Sequence, residues 1–155
     1  MIQLYMPTFD DLWFRQKLLN DAETMSYNNA YGGVIDFSKD KWENWFDFWI
    51  KNPEEKRFYR YLLETENNKF VGETAYHYNE QQGIFIADII VSAEYRGKGY
   101  GNYGLQLLCQ AAKDNGVKEL YDDISADNPA VCLFLKNGFY EEYRTDEIIM
   151  LKKGL

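Results

Sequence analysis

The sequence of 155 residues has few of the residues that cross-link a chain or bind metals, with 2 cysteines and 1 histidine. Two cysteines cannot build the disulfide framework of a small secreted domain, and Cys109 and Cys132 lack the spacing of metal ligands. We therefore expect two reduced thiols in the core and no metal site. The 3 prolines are scattered, which leaves no proline-rich linker.

The chain is also short of positive charge, with 17 lysines and arginines against 25 acidic residues and a net charge of -8. A nucleic-acid interface needs a basic face, so we expect no nucleic-acid partner. No apolar run approaches the ~20 residues of a membrane span, and the first residues lack the features of a signal peptide. These absences predict a cytoplasmic protein without a membrane partner.

Apolar and aromatic side chains are abundant: 46% of the residues are hydrophobic, with 13 Tyr, 10 Phe and 4 Trp. The length and composition fit a single domain over residues 1–155. The residue patterns predict strands at 2–6, 57–65, 69–78, 83–91, 117–125, 139–144 and 147–153. They predict helices at 8–20, at 39–52, from the glycine-rich segment to 115–116 and at 128–138, with a loop at 26–33. This order of elements predicts a mixed sheet with helices on both faces.

Glycines are concentrated in VSAEYRGKGYGNYG (91–104), which joins a predicted central strand to a predicted helix. The run GYGNYG from Gly99 matches the dinucleotide fingerprint, with Asp122 or Asp123 roughly 20 residues further on. Against that interpretation, polar residues separate Val91 from Gly99, and too few strands follow for a dinucleotide fold. The Walker pattern of nucleotide triphosphate sites is absent as well.

The same segment read from Arg96 is R-x-x-G-x-G, placed between a strand and a helix. It resembles the acetyl-CoA-binding signature of the GNAT acyltransferase superfamily. The later NPAVCLFLKNGF (128–139) is similar to a second pattern of that family, and with the element order the resemblance covers nearly the whole chain. It implies the GNAT fold, an α/β (α+β) architecture with a mixed, mostly antiparallel central sheet and helices on both faces. Splayed parallel strands of that sheet would form the acyl-CoA cleft.

The resemblance also implies an activity. The acetyl group of acetyl-CoA, the cosubstrate, would pass directly to a primary amine of a small molecule or peptide in a ternary complex. The alternatives are a non-catalytic, acyl-CoA-binding sensor and an interaction module. A homodimer is compatible with each of these.

Residues that match the family's motifs are expected to contact the cofactor. They are Ile89, Ile90, Val91, Arg96, Gly97, Lys98, Gly99, Tyr100, Gly101, Asn102, Asn128 and Phe134. Strand backbone would pair with pantetheine, and amides at the positive end of a helix would hold the pyrophosphate. Asn128 would lie near pantetheine, cap the following helix, or do both. Phe134 occupies the slot in which relatives often place a Tyr that protonates the departing sulfur, so that role is unfilled or met elsewhere.

The candidate catalytic residues are Asp88, Glu73 and Tyr140. Asp88 interrupts the apolar IFIADIIV, which suits either a general base or a structural, hydrogen-bonded carboxylate. Glu73 on the adjacent strand is a second candidate base or an exposed strand residue. Tyr140 is a substitute acid or a residue of the last hairpin, and His77 is a proton relay or a surface residue.

The acceptor site is expected between the first two helices, the loop at 26–33 and the last hairpin. Tyr27 and Tyr31 would form its wall. Asp122 either opens toward the acceptor or forms a local salt bridge, and we favour the salt bridge. Aromatic walls with carboxylates suit a cationic acceptor such as a polyamine, an amino sugar or a peptide amine.

Overall fold

The computed structural model describes the backbone of residues 1–155 and every side chain except that of Ala30. The strands are β1 (Ile2–Tyr5), β2 (Arg57–Glu64), β3 (Lys69–Asn79), β4 (Ile84–Val91), β5 (Glu119–Ser125), β6 (Tyr140–Arg144) and β7 (Ile148–Gly154). The α-helices are α1 (Leu12–Leu19), α2 (Trp42–Phe46), α3 (Tyr100–Asp114) and α4 (Ala130–Lys136). Helices of the 3-10 type lie at Phe9–Asp11, Thr24–Tyr31, Lys39–Lys41 and Ala93–Tyr95, and a π-helix lies at Asp47–Lys51. Within this described part of the chain, no helix combines the length and apolar character needed to cross a membrane.

All seven strands form one sheet in the order β1-β2-β3-β4-β5-β7-β6. Neighbouring strands are antiparallel except β4 and β5, which run parallel because the chain crosses over through α3 between them. The predicted fold class is confirmed, since the sheet is mixed and mostly antiparallel and carries helices on both faces.

The sheet separates two apolar cores, and β4 contributes to both. Ala87 packs with α3 and α4 on one face, and Ile90 packs with α1 and α2 on the other. This is what the nearly unbroken apolar sequence of β4 predicts, because a central strand is covered on both faces. The stripe that α3 buries at helical spacing consists of Leu105, Leu108, Cys109 and Ala112.

The prediction of a loop at 26–33 is wrong, because a 3-10 helix covers Thr24–Tyr31. Local and distant contacts stabilise its start: the carboxylate of Asp21 accepts hydrogen bonds from the amide and the hydroxyl of Thr24, and the carbonyl of Thr24 accepts one from Arg96. Met25 then anchors the turn in the core, where it is fully buried. The glycines that suggested a loop act at the end of this helix, where Gly32 takes a left-handed φ of 105°.

The expectation of two thiols in the core is only half right. Cys109 is buried on α3, but Cys132 is exposed on α4. Cys132 lies two positions before Phe134, the residue that α4 buries. Because two positions correspond to opposite sides of a helix, Cys132 faces solvent.

α3 lies close against the sheet at Gly104. A Cβ atom at this position would lie 2.8 Å from Leu62 Cδ1 and 2.9 Å from Ile89 Cδ1. A residue without a side chain therefore lets the first turns of α3 rest on β2 and β4. This contact fixes the start of α3 over the carboxyl end of β4.

Gly104→Val should lower the free energy of unfolding by about 1–3 kcal/mol, because the added methyl groups must displace Leu62 and Ile89. Chemical denaturation followed by circular dichroism measures this loss. Gly154→Ala is the control, since no atom lies within 4 Å of a Cβ at that position. The control should change stability by less than about 0.5 kcal/mol. Equal losses in the two variants would contradict the packing argument.

Candidate active site

The parallel pair β4 and β5 parts after a short contact. Its register contains two pairs, Phe85 with Leu120 and Ile86 with Tyr121. Both strands continue well beyond these residues. The strands therefore leave a gap at their carboxyl ends, in the middle of the sheet.

The free backbone edge in this gap belongs to Ile89, Ile90 and Val91. β3 pairs with their other edge, with Thr74 opposite Ile89 and Gly72 opposite Val91. Toward β5, no strand of the described chain pairs with these three residues. An uncovered edge of this kind offers hydrogen-bonding groups to an extended ligand. The family resemblance implies that pantetheine would pair with this edge.

The glycine-rich loop after β4 presents a row of unpaired amides. Among the described residues, none of the hydrogen bonds uses the backbone N–H groups of residues 97–102. The amide of Tyr103 is the first in α3 with an acceptor, the carbonyl of Gly99 at 3.1 Å. Gly97 and Gly99 turn the loop with left-handed φ values of 80° and 83°. Free amides at the positive end of a helix are suited to bind an anion such as a pyrophosphate.

The side chain of Arg96 is engaged inside the protein rather than free for a phosphate. Its guanidinium donates hydrogen bonds to the carbonyl oxygens of Thr24 at 2.7 Å and Glu23 at 3.5 Å. The hydroxyl of Thr24 accepts a third bond, at 2.9 Å, from the amide of Ala93. Arg96 therefore ties the glycine-rich loop to the 3-10 helix that follows Glu23, while Lys98 keeps an exposed side chain.

Asn102 and Asn128 also have partners within the protein. Asn102 Oδ1 accepts a hydrogen bond from Asn137 Nδ2 at 2.9 Å. Asn128 Oδ1 accepts one from the amide of Ala130 at 2.9 Å, so the capping role of Asn128 is observed. The groups that this loop leaves available to an anion are therefore mainly its free amides.

Asp88 lies at the gap, on the sheet face that carries α1 and α2. Its partner in β3 is Ala75, which belongs to the core beneath those helices. The side chain opens into the cleft and is exposed to solvent, although neighbouring residues displace part of its hydration. This loss of solvation and the charge of Glu73 raise the pKa of Asp88 to about 6, against the opposing effects of Arg15 and the Ile89 amide. A carboxylate with a pKa near neutrality suits a general base.

Glu73, the second candidate base, is held in an ion pair. It is 2% exposed, so the alternative expectation of an exposed strand residue is wrong. Arg15 Nη1 lies 2.7 Å and 2.9 Å from its two carboxylate oxygens. Burial alone would lower the pKa of Arg15, but the charge of Glu73 together with the effects of Tyr59 and Asp88 outweighs burial, and the pKa is raised. Glu73 therefore influences Asp88 through its charge and is not free to accept a proton from an amine.

Arg15 is a site residue that the sequence analysis misses. Its guanidinium carbon lies 4.6 Å from the ring centroid of Trp45, 4.8 Å from Phe37 and 5.4 Å from Tyr59. A signal for it exists in the sequence, because Arg15 stands three residues after Leu12 on the buried stripe of α1. A cation on a buried stripe requires a buried acidic partner.

Tyr27, on the 3-10 helix, is 43% exposed, and its hydroxyl lies close enough to the carboxylates to be influenced by their charges. Burial raises the pKa of its hydroxyl, and the charges of Asp88, Glu73 and Asp122 raise it further. Tyr31, in contrast, is 76% exposed. The structure thus brings Tyr27 to the candidate site and leaves Tyr31 largely in solvent.

Tyr140 and Phe134 do not face the gap. Tyr140 lies on β6, the outermost strand, which β7 separates from β5, and it is 52% exposed. Two strand spacings place it about 10 Å from β5. Phe134 is 1% exposed and packs against Phe139, with ring centroids 4.9 Å apart. Neither residue can protonate a group held in the gap.

Asp122 is the first residue of β5 beyond its pairing with β4. In the described part of the chain it forms no salt bridge, so the interpretation that we favoured is wrong. Burial raises the pKa of Asp122 well above its ordinary value, and the charges of Asp88 and Asp123 add to this effect. Asp88 and Asp122 therefore bring two carboxyl groups to the gap, one from each strand.

A parted parallel strand pair that leads into a loop of free amides defines a GNAT-type architecture. The sequence model of the Acetyltransferase (GNAT) family matches residues 14–139. The chain belongs to this family. It is similar to YycN, an uncharacterized N-acetyltransferase of Bacillus subtilis (strain 168), with 38% identity over 74 residues. That alignment covers 47% of this chain and 45% of YycN, so the chain matches less than half the length of this relative.

Solved structures share the fold at low sequence identity. An N-acetyltransferase from Staphylococcus aureus Mu50 aligns with a TM-score of 0.74 and 22% identity, over 100% of this chain and 98% of the other. The PaiA N-acetyltransferase from Thermoplasma acidophilum, solved in complex with coenzyme A, aligns with a TM-score of 0.72 and 14% identity. That alignment covers 100% of this chain and 99% of the other. At these identities the likeness establishes the fold alone.

Arg15→Met should lower the free energy of unfolding by about 3–5 kcal/mol, because it leaves the Glu73 carboxylate buried without a partner. The double variant Arg15→Met with Glu73→Leu should lose less than Arg15→Met alone, since no unpaired charge remains buried. Chemical denaturation at pH 7 measures both losses.

The control for this prediction is the pair Lys56–Glu80, which has the same N–O distance of 2.7 Å but is exposed to solvent. Lys56→Met should change the free energy of unfolding by less than about 1 kcal/mol. Equal losses in the free energy of unfolding for Lys56→Met and Arg15→Met would show that burial does not determine how much the Arg15–Glu73 pair stabilises the fold.

Proposed function

We propose that this chain is an acetyl-CoA-dependent N-acetyltransferase that acts on a primary amine of a small molecule or peptide. The observation that carries the proposal is the row of unpaired amides at residues 97–102, at the mouth of the gap between β4 and β5. Membership of the GNAT family supports the same conclusion. Acetyl-CoA and the amine would be bound together. The gap that would hold the thioester opens toward Asp88, which can serve as the base for the amine.

Acetyl-CoA would supply an acetyl group activated as a thioester. The residues present fit this cosubstrate, because its pantetheine arm and its pyrophosphate both find unpaired backbone groups. The free edge of Ile89–Val91 would pair with the amides of the pantetheine arm. The amides of residues 97–102 would bind the pyrophosphate without a competing internal acceptor.

The acceptor amine would approach from the face of the sheet that carries α1 and α2, because Asp88 lies on that face. Asp88 is ionised above pH 6 or so, and its carboxylate would take a proton from the incoming ammonium. The ring of Tyr27 adds an aromatic surface beside this charge. We therefore propose a cationic acceptor, such as a polyamine, an amino sugar or a peptide amine.

A second candidate function is a sensor that binds acyl-CoA without turning it over. The observation that favours it is Phe134, which has no proton to donate at the slot where the family often has a tyrosine. A sensor and an enzyme would both bind CoA, but only the enzyme releases thiol in the presence of an amine.

Gly99→Val should weaken CoA binding by about tenfold or more, because a β-branched residue at a left-handed φ costs about 1–2 kcal/mol and displaces the row of amides. Isothermal titration calorimetry with CoA measures the affinity. Gly116→Val is the matched control, since Gly116 has a φ of 86° at the opposite end of α3. The control carries the same strain and should keep its affinity within about twofold. Equal weakening in both variants would argue against binding at the loop.

The acetyltransferase should release free thiol from acetyl-CoA with cationic amines and show a pH dependence set by Asp88. At saturating amine, kcat should rise with pH and level off above about 6, because the base works in its ionised form. Asp88→Asn should lower kcat by about 100-fold or more and remove this rise. The assay compares a polyamine, an amino sugar and a peptide amine with an acidic amino acid.

Three results would argue against the proposal in different ways. A preference for the acidic amino acid would overturn the cationic acceptor. An Asp88→Asn variant with the full rate at every pH would remove Asp88 as the base. CoA binding without thiol release for any amine would favour the sensor.

A further inference from the structure

The carboxyl group of Asp122 has no cationic partner that explains its position. β5 pairs with β4 only through Leu120 and Tyr121, so Asp122 is the first residue that borders the gap. Its side chain is half-buried. In the described part of the chain, no cation lies within salt-bridge distance of it. A carboxyl group that is partly buried and lacks a cationic partner needs another explanation.

The strand register fixes the side of the sheet on which Asp122 lies. Asp122 is directly opposite Leu151 of β7, and opposite residues of an antiparallel pair lie on the same face. Leu151 belongs to the core that contains Phe134 of α4. Asp122 therefore shares the face of Phe134, whereas Asp88 lies on the other face with Ala75. The gap has one carboxyl group on each of its two sides.

The surroundings of the two carboxyl groups raise the pKa of both. Burial raises the pKa of Asp122 well above its ordinary value, and the negative charges of Asp88 and Asp123 raise it further, against a hydrogen bond from the Asp123 amide. Burial and the charge of Glu73 raise the pKa of Asp88 to about 6. Once Asp88 is charged, it disfavours a second charge close by, which favours the protonated form of Asp122.

We propose that Asp122 is a further catalytic residue, the general acid that protonates the departing sulfur in place of the tyrosine that Phe134 replaces. This inference rests on the acetyltransferase function proposed above. Asp122 borders the gap in which the thioester would lie, and it approaches from the side of α4. Asp88 works from the opposite side, where the amine enters.

The two aspartates handle the two protons that leave the nitrogen when the ammonium becomes an amide. Asp88 first takes one proton from the ammonium and releases it to solvent, which leaves a neutral amine. The C–N bond then forms and the C–S bond breaks, with the electron pair of the C–S bond going to sulfur. Asp122 gives its proton to that sulfur, and Asp88 takes the second proton from the nitrogen. Transfer of this proton from Asp88 to Asp122 restores both groups, and the net products are the amide, CoA thiol and one proton.

Asp122→Asn tests the proposal, with Asp123→Asn as the matched control on the same strand. Asp123 is exposed and lies on the opposite face. With acetyl-CoA and saturating amine, Asp122→Asn should lower kcat by about 100-fold and Asp123→Asn by less than about threefold. The wild-type kcat should fall at high pH as Asp122 loses its proton, and this fall should be absent from Asp122→Asn. The titratable groups coupled to Asp122 through their charges are Asp88, Asp123 and Tyr27, so the profile is compared in Asp123→Asn as well.

Infrared spectroscopy gives a readout that does not depend on turnover. Wild-type protein at pH 7 should show the carbonyl stretch of a protonated carboxylic acid. Asp122→Asn should remove this band and Asp123→Asn should keep it. If Asp122→Asn fails to fold, Asp122→Glu takes its place, since a longer side chain should shift the band.

The outcomes separate this inference from the function on which it rests. Wild-type turnover with an unchanged kcat in Asp122→Asn would overturn the role of Asp122 and leave the acetyltransferase standing. A protonated-acid band that is missing from wild type, or that persists unchanged in the Asp122 variants, would overturn it as well. No thiol release by wild type with any amine would overturn the proposed function, and the inference with it.

Discussion

The candidate site depends on the early parting of β4 and β5, which share two residue pairs before they separate. Backbone groups left without partners inside a sheet cost free energy. The fold tolerates this gap because β3 pairs with the other edge of β4 through eight residue pairs. The start of α3 also rests on the same strand at Gly104. A continuous ladder between β4 and β5 would satisfy these groups and leave no room for a ligand.

The charges around the gap follow from the same arrangement. Arg15 neutralises Glu73, not Asp88, because the aromatic rings around Arg15 hold it against β3. Asp88 is left partly desolvated, with its pKa raised to about 6. A carboxyl group with a raised pKa stabilises the folded state most at low pH, and this contribution is lost as the pH rises through 6. The ionised form that suits catalysis is thus the form that stabilises the fold less.

Much of the fold could be predicted from the sequence because local patterns determine it. Alternation and apolar runs marked the strands, and the glycines after Val91 marked the loop of free amides. The 3-10 helix at Thr24–Tyr31 was missed because its start is held by contacts with residues far away in the chain, such as Arg96. No local pattern encodes a bond across 72 residues.

The site itself was less predictable than the fold. Glu73 and Arg15 lie 58 residues apart in sequence, so their pairing appears only when α1 packs on β3. The surroundings of the Asp122 carboxyl group depend on the residue at which β5 separates from β4. Residue types alone do not determine that position. Asn128 was anticipated correctly as a helix cap because capping is a local interaction.

The bonds from Arg96 to Glu23 and Thr24 have a thermodynamic consequence. They join the loop of free amides to the helix that carries Tyr27, so ordering one of these segments restricts the other. A ligand that orders the loop would also restrict the helix that carries Tyr27, so a second ligand that contacts Tyr27 would lose less conformational entropy on binding. By linkage, each substrate would then raise the affinity of the other by the same factor, whichever binds first.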